Sequence, residues 1–83
     1  NSGNANAGTG EPGLRDAEAM GAEAARALNM DAANVLVCST GIIGTPLPME
    51  PSLAAVPKLA KRLSRDGADD AARGILTTDH KPK

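Results

Sequence analysis

The apolar positions fall into a long periodic stretch, a short continuous run and a second, shorter periodic stretch. Between Pro12 and Leu28, the residues Leu14, Ala17, Met20, Gly21, Ala24, Ala25 and Leu28 recur at helical spacing. At about 100° per residue they share one arc of roughly 140°. Arg15, Asp16, Glu18, Glu23 and Arg26 occupy the other side. Pro12 suits a first helical turn and alanine dominates the residues after it, so a helix over 12–28 is expected. Its apolar face is thin, with small residues between three large ones. Such a face allows close backbone approach to a sheet or another helix.

Val35, Leu36, Val37 and Cys38 form the continuous run. Two of the four are β-branched and the run is too short for a helix, so it reads as a strand buried on both faces. One four-residue strand cannot build a sheet. Its partner strands are therefore expected outside this chain, or from dimerisation. A second helix should start near Pro51 or Ser52 and reach about Leu63, with Leu53, Val56, Leu59, Ala60 and Leu63 on one face. Lys58, Lys61 and Arg62 then face solvent. Pro57 should kink or split this helix, because it removes a hydrogen bond and crowds the preceding turn. A third, short helix is expected over 68–76, with Asp69 and Asp70 complementing the dipole in its first turn. Gly74 within it costs roughly 1 kcal/mol relative to Ala. Residues 1–11 and 39–50 read as loops, 29–34 as a connector and 77–83 as a polar tail. The order helix, strand, helix, helix points to an α/β fragment of a larger α/β domain, residues 1–83, with no internal boundary.

Composition strengthens the fragment reading. Of 83 residues 41% are hydrophobic, but 16 are alanine, only 17 are Val, Ile, Leu or Met, and none is aromatic. A chain this small buries little of its surface, and these side chains face a conformational entropy cost of roughly 1–2 kcal/mol per residue. It reads as a piece of a larger core, or as a subunit. A single cysteine rules out an internal disulfide. A net charge of -1 without aromatics offers neither a basic field nor stacking platforms for nucleic acid. No apolar run approaches a membrane span and no signal-peptide pattern is present, so a cytoplasmic location is expected. The polar start lacks an initiator Met and does not resemble a native beginning.

Chemistry-bearing residues are few. His80 beside Asp79 reads as a solvated histidine near a terminus. Cys38 reads as a small buried hydrophobe. Without CxxC or HxxxH spacing there is no positive signal for a metal, and no cofactor is expected. The opening Asn1, Asn4 and Asn6, alternating with small residues, can turn tightly and offer amide donors, or can form a flexible terminus. The segment 38–44, Cys-Ser-Thr-Gly-Ile-Ile-Gly, sets two hydroxyls and two glycines just past the expected strand. Ligands often bind at strand ends in α/β sheets. Backbone N–H groups around a glycine, with a hydroxyl nearby, can converge on an oxyanion. A plain strand-to-helix connector is the alternative.

Three segments carry a resemblance: 1–14 (NSGNANAGTGEPGL), 35–50 (VLVCSTGIIGTPLPME) and 71–83 (AARGILTTDHKPK). In order and spacing they resemble the ornithine acetyltransferase family, the bifunctional glutamate N-acetyltransferases of the cyclic arginine pathway. The likeness covers essentially the whole chain and matches an internal part of the family's α chain. It implies a precursor that cuts itself at an Ala-Thr bond into α and β chains. The new N-terminal Thr of the β chain then takes acetyl from N-acetylornithine and passes it to glutamate. No Ala-Thr pair occurs in this sequence, so the nucleophile is expected elsewhere. Thr40 and Gly41 match the family's oxyanion hole, and Thr77 matches a substrate-binding threonine. The resemblance further implies the β chain as partner, acetyl-CoA as donor in bifunctional members, and an αβ heterodimer that assembles further. A reading of another class also stands: a non-catalytic helical interaction module, or an inactive fragment, presenting alanine-rich faces to a partner.

Overall fold

Alanine sets the frame of the fold. The computed structural model of the chain describes residues 1–82; Lys83, the end of the polar tail, lies outside them. The longest element is helix α1, Gly10–Leu28, which begins two residues earlier than the periodicity indicates and ends where it does. Asn29 closes it in the left-handed conformation (φ 53°), and the Met30 N–H donates back to the Ala25 carbonyl at 2.9 Å. Such a close satisfies carbonyls that a helix end otherwise leaves orphaned.

The strands are not where the apolar run put them. Strand β1 is Ser2–Asn4, inside the expected opening loop, and strand β2 is Thr40–Ile42, just past the expected strand. They pair in parallel, with Ser2 opposite Thr40, Gly3 opposite Gly41 and Asn4 opposite Ile42. Backbone bonds extend this ladder both ways. Asn1 nitrogen donates to the Cys38 carbonyl (2.7 Å), the Ala5 N–H to Ile42 (2.9 Å) and the Gly44 N–H to Ala7 (2.8 Å). Because α1 lies between the strands in sequence, β1–α1–β2 is a βαβ crossover unit. The α/β class therefore holds, but one partner strand comes from this chain and not from outside it.

Residues 35–38 take no part in the sheet as a strand. Val35 and Val37 are half-buried, whereas Leu36 is 91% exposed and Cys38 is exposed. The segment thus covers one face, not two. Gly21 of α1 explains the covered side: a β-carbon there would come within 3.9 Å of Val37 Cγ2 and 4.0 Å of Val35 Cγ1. The thin face of α1 does admit close backbone approach, as its composition implies.

Helix α2, Met49–Ala60, packs against α1. It runs through Pro57 as one helix, although the proline leaves the Leu53 carbonyl without its helical donor. The defect sits in the last turn, and Leu53, Val56 and Ala60 remain half-buried around it. Leu59 and Leu63, expected on the buried face, are exposed. With Met20 and Leu28 of α1 and the chain at 35–38 they line an open apolar groove. Helix α3, Ala68–Gly74, is two residues shorter than expected. Among the described residues, the buried apolar side chains are Ala25 and Leu47 alone, each 5% exposed. No helix is long and apolar enough to cross a membrane among these residues.

Candidate functional site

Gly41 sits at the middle of β2 with φ at +133°, a conformation that side chains strongly disfavour. A β-carbon there would overlap the Gly3 carbonyl and stand 2.8 Å from the Asn4 nitrogen. The absence of a side chain at Gly41 is what lets the two strands close. The parallel register then decides which amides are occupied. Successive N–H groups along a strand point to opposite edges. The Thr40 N–H donates to the Asn1 carbonyl at 3.0 Å, so the Gly41 N–H is directed away from β1. The Thr40 hydroxyl meets no protein partner among the described residues, and Thr40 is half-buried.

An open cleft of about 550 Å³ lies at this strand pair. Ser2 and Gly3 of β1 and Gly41 and Ile42 of β2 form one wall; Leu76, Thr77 and Thr78 form the other. The structure therefore brings Gly41 and Thr77 to one cleft. Thr40 is not on its wall. Thr77 lies beyond α3, in the segment after the helix, where both it and Thr78 are exposed. The wall is joined to the sheet by Ser2, whose hydroxyl donates to the Gly74 carbonyl at 2.6 Å.

Of the three opening asparagines, Asn1 and Asn4 bond at the strand ends and Asn6 at the entry to α1, as the amide-donor reading has it. Asn1 Nδ2 donates to the Asn4 carbonyl (3.0 Å), while Asn1 Oδ1 accepts from the Ser39 hydroxyl (2.6 Å). Asn4 Nδ2 reaches the Pro46 carbonyl at 3.4 Å. Asn6 donates to the Gly13 carbonyl (2.7 Å) and accepts from the Thr9 hydroxyl (2.6 Å), fixing the entry to α1. Gly13 is buried there, and a β-carbon on it would overlap the Thr9 hydroxyl. The sequence offered amide donors here as one of two readings, but not the groups they meet. The alternation of Asn with small residues was the available signal, since amides can bond backbone only where neighbours leave room.

Other candidates stay apart from the cleft. Cys38 is exposed, not buried, because it sits on the outer side of the one-faced segment that Leu36 also occupies. His80 is exposed near the tail. Among the described residues no three metal-ligating side chains gather. Glu23 on α1 is held below the usual carboxylate range by a hydrogen bond from the Arg26 guanidinium (Nε to Oε2, 3.1 Å). Arg26 is raised in return by the same contact.

Comparison with known proteins adds to this geometry. The ArgJ family profile matches residues 1–83. The chain is 53% identical over 79 residues to the "Arginine biosynthesis bifunctional protein ArgJ" of Caldanaerobacter subterraneus subsp. tengcongensis, covering 95% of this chain and 20% of that protein. To the protein of the same name from Symbiobacterium thermophilum it is 52% identical over 83 residues, covering 100% of this chain and 21% of that protein. The crystal structure of the arginine biosynthesis bifunctional protein from Bacillus halodurans superposes with a TM-score of 0.85 at 40% identity. That match covers 96% of this chain and 42% of the solved one. The chain thus spans about a fifth of the length of the curated relatives it matches. On the family match over its full length and on these relatives, the chain belongs to the ArgJ family.

Proposed function

We infer that the chain is part of an acetyltransferase of arginine biosynthesis. In this reading it is a segment of the α chain of a self-cleaving, cytoplasmic precursor. Acetyl passes from N-acetylornithine to glutamate through an acetyl-enzyme on the N-terminal Thr of the β chain, with acetyl-CoA a further donor in bifunctional members. That chain, not this one, carries the nucleophile, and the two form a heterodimer that assembles further. No cofactor takes part.

The observation that carries the reading is the Gly41 amide. It points away from β1, beside the cleft that Thr77 shares. A fixed N–H costs no reorganisation when charge develops on a carbonyl oxygen. With the Thr40 amide spent in the ladder, the donor left on Thr40 is its hydroxyl. The proposed oxyanion hole is therefore the Gly41 N–H and the Thr40 Oγ1. Thr77 would hold substrate from the opposite wall. The volume of about 550 Å³ lies within the range of small-molecule sites.

The test is steady-state acetyl transfer by the full-length protein. Thr40→Ala should lower kcat by roughly 10²–10³-fold, as loss of one oxyanion donor does elsewhere, with little change in stability. Thr77→Ala should raise KM for N-acetylornithine roughly 2- to 13-fold, the worth of one neutral hydrogen bond. Normal turnover by Thr40→Ala would remove the oxyanion role; no acetyl transfer by the unsubstituted protein would favour the non-catalytic interaction module, whose partner would dock independently of Thr40.

A further inference from the structure

Helix α3 packs extensively against no other helix or strand among the described residues. Yet the residues just after it, Leu76, Thr77 and Thr78, form a whole wall of the cleft. Within α3 the last carbonyls lack helical donors, as at any helix end. The Ile75 N–H serves the Ala71 carbonyl at 3.1 Å and the Leu76 N–H serves that of Arg73 at 3.2 Å. The Gly74 carbonyl receives instead the Ser2 hydroxyl at 2.6 Å, from a residue 72 positions away. Ser2 stands on β1, next to the Gly3–Gly41 pair. One hydroxyl therefore joins the strand beside Gly41 to a point three residues before Thr77.

We propose that Ser2 is a positioning residue: its bond to the Gly74 carbonyl sets Thr77 across the cleft from Gly41. The proposal rests on the acetyl-transfer reading for what Thr77 does, but not for where Thr77 is held. Ser2 also lines the cleft, but the role assigned to it acts through Thr77. Its own backbone N–H and carbonyl face away from β2, because its neighbour Gly3 supplies the inner bonds of the register. Its side chain is the group that reaches α3. Alanine at position 2 leaves the ladder intact and releases the wall. Threonine keeps the hydroxyl.

Two measurements on the full-length protein decide it. Amide hydrogen exchange reads the tether itself. In Ser2→Ala, exchange at residues 75–78 should quicken while that of α1 stays unchanged, and Ser2→Thr should restore it. Unchanged exchange at 75–78 overturns the proposal. Kinetics read the consequence. Ser2→Ala should raise KM for N-acetylornithine roughly 2- to 13-fold with kcat held within about twofold. The double variant Ser2→Ala/Thr77→Ala should be no worse than Thr77→Ala alone, because Ser2 acts through Thr77. Fully multiplicative effects would mean that Ser2 works by another route and would also overturn it. If Thr77→Ala itself leaves KM unchanged, the substrate role of Thr77 fails, and the exchange result alone then settles the tether.

Discussion

Replacing Gly41 with alanine puts a methyl group where the Gly3 carbonyl already sits. Two costs can be worked out. At φ +133° a residue other than glycine is strained by about 1–3 kcal/mol. The overlap with the Gly3 carbonyl cannot be relieved by a rotamer change, because the obstacle is backbone. Strand β2 must draw back from β1, which breaks the flanking bonds from Thr40 to Asn1 and from Ala5 to Ile42. At about 0.5–1.5 kcal/mol net for each bond, those two add about 1–3 kcal/mol. Gly41→Ala should thus destabilise by about 2–6 kcal/mol, a large share of an ordinary folding free energy. Two other glycines calibrate the estimate. Gly44 also has a positive φ, +84°, but a β-carbon there meets nothing within 4 Å, so only the strain of about 1–3 kcal/mol applies. Gly74 lies in α3 with open space around it, and alanine there should stabilise by about 0.5–1 kcal/mol. The assay is urea unfolding of the full-length protein, followed by circular dichroism, with midpoints compared at unchanged slope. The expected order of stability is Gly74→Ala, wild type, Gly44→Ala, Gly41→Ala. If Gly41→Ala were as stable as Gly44→Ala, close strand approach could not be the reason for glycine at 41.

Leu47, 5% exposed, is the large side chain of the buried set, so Leu47→Ala should cost about 2–5 kcal/mol in thermal unfolding. Asn6→Ala removes the donor to the Gly13 carbonyl and the acceptor of the Thr9 hydroxyl. It should destabilise by about 1–3 kcal/mol, with faster amide exchange confined to the first turn of α1. Glu23 has its pKa lowered by the Arg26 hydrogen bond. Its contribution is therefore present above the ordinary carboxylate pKa and is lost as pH falls through the lowered value. An NMR titration should show the Glu23 midpoint returning to the usual range in Arg26→Gln; an unchanged midpoint would refute the pairing.

Helix α1 was legible because its signal is local: alanine propensity and a 3.6-residue period need no partner to be read. The sheet was not, for the opposite reason. Ser2, Gly3 and Asn4 have the composition of a turn, and they become a strand only because Gly41 lets their backbone come close. The β-branched content at 35–38 pointed to a strand, but Val35 and Val37 find a helix surface at Gly21 instead of a ladder partner. Propensity marked an extended segment correctly and its hydrogen-bonding wrongly. The candidate site divides the same way. Gly41 stood out by its place after an apolar run. Its meeting with Thr77 depends on the Ser2–Gly74 bond between distant residues, which no local pattern announces. Thr40 and Gly41 are neighbours in sequence, yet only Gly41 reaches the cleft wall.

The parallel pairing of β1 with β2 has a consequence for how the chain is born. Ser2 leaves the ribosome long before its partner; the strands meet across an offset of 38 positions. At about 5–20 residues per second, that gap is roughly 2–8 s of synthesis. Helix formation takes microseconds, so α1 can be complete while β1 still waits. During that wait Ser2 and Gly3 do not yet have Thr40 and Gly41 to pair with. The glycine that closes the ladder is thus also a timing element: until it emerges, neither this strand pair nor the cleft beside it can exist.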